Sequence, residues 1–136
     1  MTAIEANSRF LLLAVLAEIE QFAELPDDAF GSGDRYLVAM TCDGVPFMPA
    51  WWVGRKLSPA RRMAFSRAVR RLAARGLICR VTERLRDRVR CVVPTADGLA
   101  RAISLAGDSV DPKAVQEGLA RTRWGRALAN SIGGDR

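Results

Sequence analysis

Histidine is absent from all 136 residues, and cysteine occurs only at Cys42, Cys79 and Cys91. Without an imidazole the usual general base is missing, and without a C-x-x-C pair a zinc site lacks its usual ligands. The chain also has no G-x-S-x-G elbow, no phosphate loop and no carboxylate pair set in an apolar run, so neither enzyme chemistry nor a bound cofactor is expected. Asp27, Asp28 and Asp34 lie in a glycine-containing stretch, which is ordinary turn composition. No long hydrophobic run exists either. The densest, residues 10–16 continuing to 19, contains Glu18 and is followed by Glu20, too short and too charged to span a bilayer. The chain does not open on a basic-then-apolar leader, and cytoplasm is the predicted compartment. An apolar fraction of 49% with 26% charged residues predicts one globular domain. Lysine is scarce too, present only as Lys56 and Lys113, so arginine carries the positive charge.

That charge is unevenly placed. Residues 55–90 hold Arg55, Lys56, Arg61, Arg62, Arg67, Arg70, Arg71, Arg75, Arg80, Arg84, Arg86, Arg88 and Arg90 against only Glu83 and Asp87, a net +11. Residues 1–54 set Arg9 and Arg35 against eight acids, a net −6, and residues 91–136 add +1 to reach the total of +6. Solubility needs only modest, dispersed charge. The pattern predicts an acidic scaffold presenting a basic surface to a polyanion, nucleic acid first.

Periodicity predicts a mainly α fold with a small β-hairpin. Residues 8–24 read as an amphipathic helix capped by Ser8, with Leu12, Val15, Leu16, Ile19 and Phe22 on one face. Residues 27–34 read as a loop, 36–40 as a short helix or else a strand, and 43–46 as a break. Pro49 opens a second short helix over 50–56. Ser58-Pro59 is an N-cap followed by proline at the first helical position, and the helix it starts runs to Arg75, where Gly76 ends it. Phe65, Ala68, Val69 and Leu72 form its buried stripe. Arg61 and Arg62 stand in its first turn, where the helix dipole disfavours cations, and residues kept against a local preference point to function.

A hairpin follows. With its turn centred on Leu85, Val81 opposes Val89, Cys79 opposes Cys91 and Leu77 opposes Val93 on one apolar face. The other face then pairs Arg80 with Arg90 and Thr82 with Arg88, a clash of like charges that a bridging anion relieves. Thr95 caps a helix over 96–106 ended by Gly107. Asp111-Pro112 opens a last helix to about Asn130 with Val115, Leu119, Trp124 and Leu128 as its apolar positions, and 131–136 are a frayed tail. One domain results: scaffold helices over 8–57, the basic helix, hairpin and following helix over 58–106, and a C-terminal helix over 107–136.

The order helix, Gly, hairpin, helix is that of a winged helix-turn-helix. The stretch FSRAVRRLAARGLICRVTERLRDRVRCVVPTADGLARA, residues 65–102, resembles the MarR-type family of bacterial transcription regulators. Its pattern R-L-x-x-x-G-L-[IV], a wing with Asp-Arg, then L-T-x-x-G is met by Arg71-Leu72, Gly76-Leu77-Ile78, Asp87-Arg88 and Thr95-Ala96-Asp97-Gly98. Pro94 replaces the family's usual Leu, the wing Asp is displaced by about one residue, and the family's first helix-turn-helix helix falls to residues 49–52. The resemblance implies a recognition helix over about 59–75 in the major groove, with Arg61, Arg62, Ser66, Arg67 and Arg70 facing the bases. It also implies a wing carrying Arg84, Arg86 and Arg88 near the minor groove, and terminal helices that form a homodimer. Arginine chemistry agrees, as a bidentate reader of guanine and a clamp on phosphate. Arg71, Arg75, Arg80 and Arg90 are the expected phosphate contacts.

The resemblance brings two further readings. Cys79 and Cys91 fit either a thiol switch, as in oxidation-sensing members, or small core residues, which buried strand cysteines usually are. Phe47, Met48, Trp51 and Trp52 fit an effector pocket for a small aromatic molecule or, preferably, an aromatic core cluster. Trp124 is placed at the dimer seam rather than against its own first helix. The expected function is therefore sequence-specific binding of double-stranded DNA by a dimeric transcriptional repressor. A plasmid or phage replication or partition protein and a winged-helix protein-interaction module are the alternatives.

Overall fold

The computed structural model describes residues 4–25, 44–83, 85 and 88–133. The loop expected at 27–34 and the short helix expected at 36–40 lie outside them, as do Cys42, Arg84 and Arg86. Helix α1 (Ala6–Phe22) is the centre of the molecule: it packs against three other helices and buries Leu11, Leu12, Val15, Leu16, Ile19 and Phe22. Its N-cap is Glu5 and not Ser8. The Glu5 carboxylate accepts the backbone N–H groups of Ser8 at 2.8 Å and Asn7 at 3.2 Å, while the Ser8 hydroxyl, one turn in, donates to it at 2.7 Å. A carboxylate serves this end better because its charge also complements the helix dipole. At the other end Arg121 donates to the carbonyls of Phe22, Ala23 and Leu25, satisfying orphan acceptors.

Strand β1 (Val45–Pro46) occupies the stretch expected to be a break. Val45 pairs with Val92 and Pro46 with Cys91, and an edge strand is where proline is tolerated. Helix α2 (Pro49–Val53) stops three residues before the expected end because Gly54 turns left-handed at φ 88°. Helix α3 (Pro59–Ala74) matches its expectation closely. Ser58 Oγ accepts the Arg61 N–H at 3.2 Å, Gly76 terminates it at φ 74°, and Phe65, Ala68, Val69 and Leu72 are buried.

Strands β2 (Ile78–Thr82) and β3 (Val89–Pro94) complete a three-stranded antiparallel sheet of order β1–β3–β2. Its register corrects the expected one. Cys79 pairs with Val93, Arg80 with Val92 and Val81 with Cys91, two residues on from the pairing centred at Leu85. The loop is wider than assumed, closed where the Glu83 N–H donates to the Arg88 carbonyl at 2.8 Å. Thr82 then pairs with Val89, so Arg90 is the extra residue of a bulge. Arg80 and Arg90 therefore do not oppose each other. The buried face also changes: Ile78, Val92 and Pro94 turn inward on the side expected to hold arginines, whereas Cys79 is exposed.

Helix α4 (Ala96–Ala106) is fixed to the end of α3 by a compact set of bonds. The Thr95 N–H donates to the Leu77 carbonyl at 3.1 Å. The Thr95 hydroxyl donates to the Gly76 carbonyl at 2.7 Å and accepts the Gly98 N–H at 3.0 Å. A Cβ on Gly98 would lie 1.7 Å from the Leu77 carbonyl oxygen, so only glycine fits there. Beyond Gly107 the expected single helix is two, α5 (Pro112–Ala120) and α6 (Arg126–Gly133). Thr122 divides them, its hydroxyl donating to the Leu119 carbonyl at 2.9 Å while it accepts the Gly125 N–H at 2.8 Å. A side-chain bond that replaces the backbone ladder in this way competes with helix continuation. Trp124 and Leu128 are partly buried against the core, and the Trp124 indole has this chain's own core as a neighbour.

Candidate nucleic-acid interface

Helix α3 presents three different faces. Its apolar stripe locks it to α1 and the sheet. On the opposite side Met63, Arg67, Arg70 and Ala74 recur at helical spacing, all exposed, with Ser66 beside them. Met63 leaves 58% of its surface to solvent. On the flank toward the hairpin, Arg62, Ser66 and Arg70 succeed one another at i, i+4 and i+8.

That flank and the hairpin enclose a hollow of about 290 Å³, lined by Arg62, Ser66 and Arg70 from α3 and by Arg80, Arg88 and Val89 from the hairpin, with Phe47 and Pro49 as its apolar floor. The sheet register explains why Arg80 is there. It follows the buried Ile78 on the same face and lies just past the edge of the core, so it points along the side that α3 covers. Four guanidinium groups thus surround one small space. Glu83 approaches Arg88 to 4.0 Å, with both side chains substantially exposed, and such a pair contributes little stability.

The five residues of α3 expected to face bases are not equivalent. Arg62, Ser66 and Arg70 join the hairpin arginines, and Arg67 points outward. Arg61 instead stacks its guanidinium over the Phe65 ring, 5.4 Å from the centroid, a cation–π contact near the helix start. Arg71 is turned to α1, where it pairs with Glu5 at 2.8 Å. Burial works to raise the Glu5 carboxyl, but bonds from Ser8, Arg71 and Asn7 outweigh it and hold the group at about 2 instead of 4.5. Arg90 is exposed in the bulge, with its carbonyl accepting the Phe47 N–H at 2.9 Å.

Three N-terminal acids serve the fold directly. Glu5 caps α1, Glu20 accepts the Asp111 N–H at 2.9 Å, and the buried Glu18 accepts the Trp52 indole N–H at 3.0 Å. The aromatic cluster divides accordingly. Phe47 and Trp52 pack on the core edge-to-face, 6.0 Å between ring centroids, as expected of core aromatics. Trp51 does not: it is 68% exposed. It stands in an open hollow of about 780 Å³ with Phe47, Met48, Pro49, Arg55, Leu57 and Arg62 among its lining. Consecutive residues on a helix point about 100° apart, and of the two tryptophans on this short helix only Trp52 is turned to the core.

Met63 is the residue of the outer face that sequence reasoning missed; a lone exposed Met carries no pattern until the helix face is known. Cys79 and Cys91 are thiols on neighbouring strands, the first exposed and the second buried, and are diagonal neighbours instead of a cross-strand pair. Among the described residues no group of His, Cys, Asp and Glu is arranged to hold a metal ion, and no helix is long and apolar enough to cross a membrane. A scan against protein-family models, a search of curated proteins and a search of solved structures each found no match.

Proposed function

We propose that this protein is a winged helix-turn-helix DNA-binding protein, acting in the cytoplasm as a homodimeric transcriptional repressor that occupies a promoter. The observation that carries the reading is the hollow in which Arg62 and Arg70 of α3 meet Arg80 and Arg88 of the hairpin. Guanidinium groups converging on one hollow from helix and hairpin suit a polyanion, whose phosphate oxygens accept several of their N–H groups at once. The order helix, strand, short helix, helix, hairpin, with β1 added beside β3, supports the winged arrangement, as does the Gly76…Thr95-x-x-Gly98 junction that carries the resemblance to MarR-type regulators.

In this reading the outer face of α3 enters the major groove. Arg67 and Arg70 are bidentate readers of guanine, Ser66 reads either purine or pyrimidine edges, and Met63 packs on a thymine methyl. Arg62, Arg80 and Arg88 grip a backbone phosphate between helix and wing, which sets register without reading sequence. The wing, with Arg84 and Arg86, reaches the adjacent minor groove. A two-fold dimer through the terminal helices would space two recognition helices one DNA turn apart, about 34 Å.

Binding to a fluorescent random-sequence duplex and to the DNA upstream of the protein's own gene, across a salt series, tests this. Preference for the upstream DNA that survives physiological salt is the expected result. A steep salt slope without preference would reduce the protein to a non-specific DNA binder, and absence of binding to either duplex would refute the reading.

A further inference from the structure

Trp51 is the one large aromatic side chain among the described residues that the core leaves to solvent, and its surroundings are charged. Arg55 and Arg62 stand in the same hollow, and Arg62 belongs also to the phosphate-gripping hollow between α3 and the hairpin. Phe47 and Pro49 are likewise shared. The two hollows are therefore consecutive along one surface, and a strand held in the first leads directly into the second.

We infer that the Trp51 hollow receives an unpaired nucleotide, so that the protein prefers a duplex that ends in a single-stranded tail over an uninterrupted one. The inference rests on the DNA-binding reading above. Its physical basis is the indole itself. Inside a duplex both faces of each base are covered by neighbouring bases, leaving an exposed indole nothing flat to stack on. An unpaired base offers a free face, and aromatic side chains beside a cationic track are how single strands are held. Arg55 and Arg62 supply the cations for the phosphates on either side of that nucleotide. A hollow of about 780 Å³ falls within the range of pockets that hold small organic groups. The rigid seat is Trp52: its indole, bonded to Glu18, pins α2 and with it the direction of Trp51.

Anisotropy titrations of the full chain against three duplexes decide the matter: one blunt, one with a four-nucleotide single-stranded tail tried at either end, and one whose tail is abasic. The tailed duplex should bind about ten-fold tighter than the blunt one, equivalent to about 1.4 kcal/mol and within the stacking of one base on one ring. The abasic tail, with equal phosphates, should recover little of that gain. Trp51→Ala should abolish the difference while leaving affinity for the blunt duplex unchanged, and Trp51→Phe should keep part of it. Trp51 is exposed, and circular dichroism of both variants verifies that they fold. Equal binding of all three duplexes overturns the inference, as does a Trp51→Ala loss that is uniform across them. Failure of all three duplexes to bind overturns the DNA-binding reading instead, and this inference with it.

Discussion

The buried carboxylate of Glu18 accepts the indole N–H of Trp52 at 3.0 Å across 34 residues of sequence. This bond ties α1, the central helix, to the short α2 that leads into α3. A buried donor or acceptor left without its partner costs about 1–3 kcal/mol. Trp52→Phe removes the N–H together with part of the indole that packs on the core, so it should lower the unfolding free energy by at least that amount. Urea titration reads the change as a lower midpoint at constant slope.

Acid should destabilise the protein partly through Glu5. Its folded value of about 2 lies below the ordinary 4.5, so its contribution is fully present above pH 4.5 and is lost as pH falls from there toward 2. Melting temperatures of wild type and Glu5→Gln should differ at neutral pH and converge across that window. Parallel curves down to pH 2 would mean that the bonds from Ser8, Asn7 and Arg71 are not what holds the carboxylate ionised.

Gly98→Ala should be among the most damaging single-methyl changes available. The added Cβ meets the Leu77 backbone carbonyl, which has no rotamer to escape into. Overpacking of this kind costs about 1–3 kcal/mol and sometimes more. Thr95→Ala, which removes a cap, should cost about 1 kcal/mol. Thermal unfolding ranks the two, and a harmless Gly98→Ala would contradict the close packing of α4 on the α3 terminus.

Arg67→Ala and Arg88→Ala should behave differently on DNA. Loss of a base-reading arginine should cost about 1–3 kcal/mol and relax specificity at one position. Loss of a phosphate-gripping arginine should weaken all sequences alike and reduce the salt slope by about 1. Met63→Ala should weaken only operators with thymine at its contact. Salt-series titrations on a set of single-base operator variants separate these outcomes.

Much of the fold was legible because helix ends are decided locally. Ser58-Pro59, Gly76, Thr95, Gly107 and Asp111-Pro112 each begin or end a helix by local geometry, Thr95 through its bond to the Gly98 N–H, and each stands where the spacing put it. What depended on distant partners was not legible. The hairpin register follows from the width of the 83–88 loop and from pairing with β1, a two-residue strand with no periodicity of its own. Glu5 caps the helix in place of Ser8 through local bonds to the Asn7 and Ser8 N–H groups, and Arg71, 66 residues away, anchors the same carboxylate. The break after Ala120 falls where Thr122 takes up the Leu119 carbonyl and Arg121 reaches the end of α1. For the candidate site, composition identified the arginines but not their grouping. Arg61 and Arg71 are distinguished from Arg62 and Arg70 only by where Phe65 and Glu5 lie.

The junction of Gly76, Leu77, Thr95 and Gly98 closes the base of the hairpin, since both strands leave from and return to bonded backbone. The strands between stay packed on the core through Ile78 and Val92, so variation in sequence is left to the loop that joins them. The hairpin is a cassette with fixed terminals: its tip can lengthen, shorten or change sequence without disturbing α3. A protein built this way can exchange its wing, and with it the shape of nucleic acid it prefers, while its helical reader stays in place.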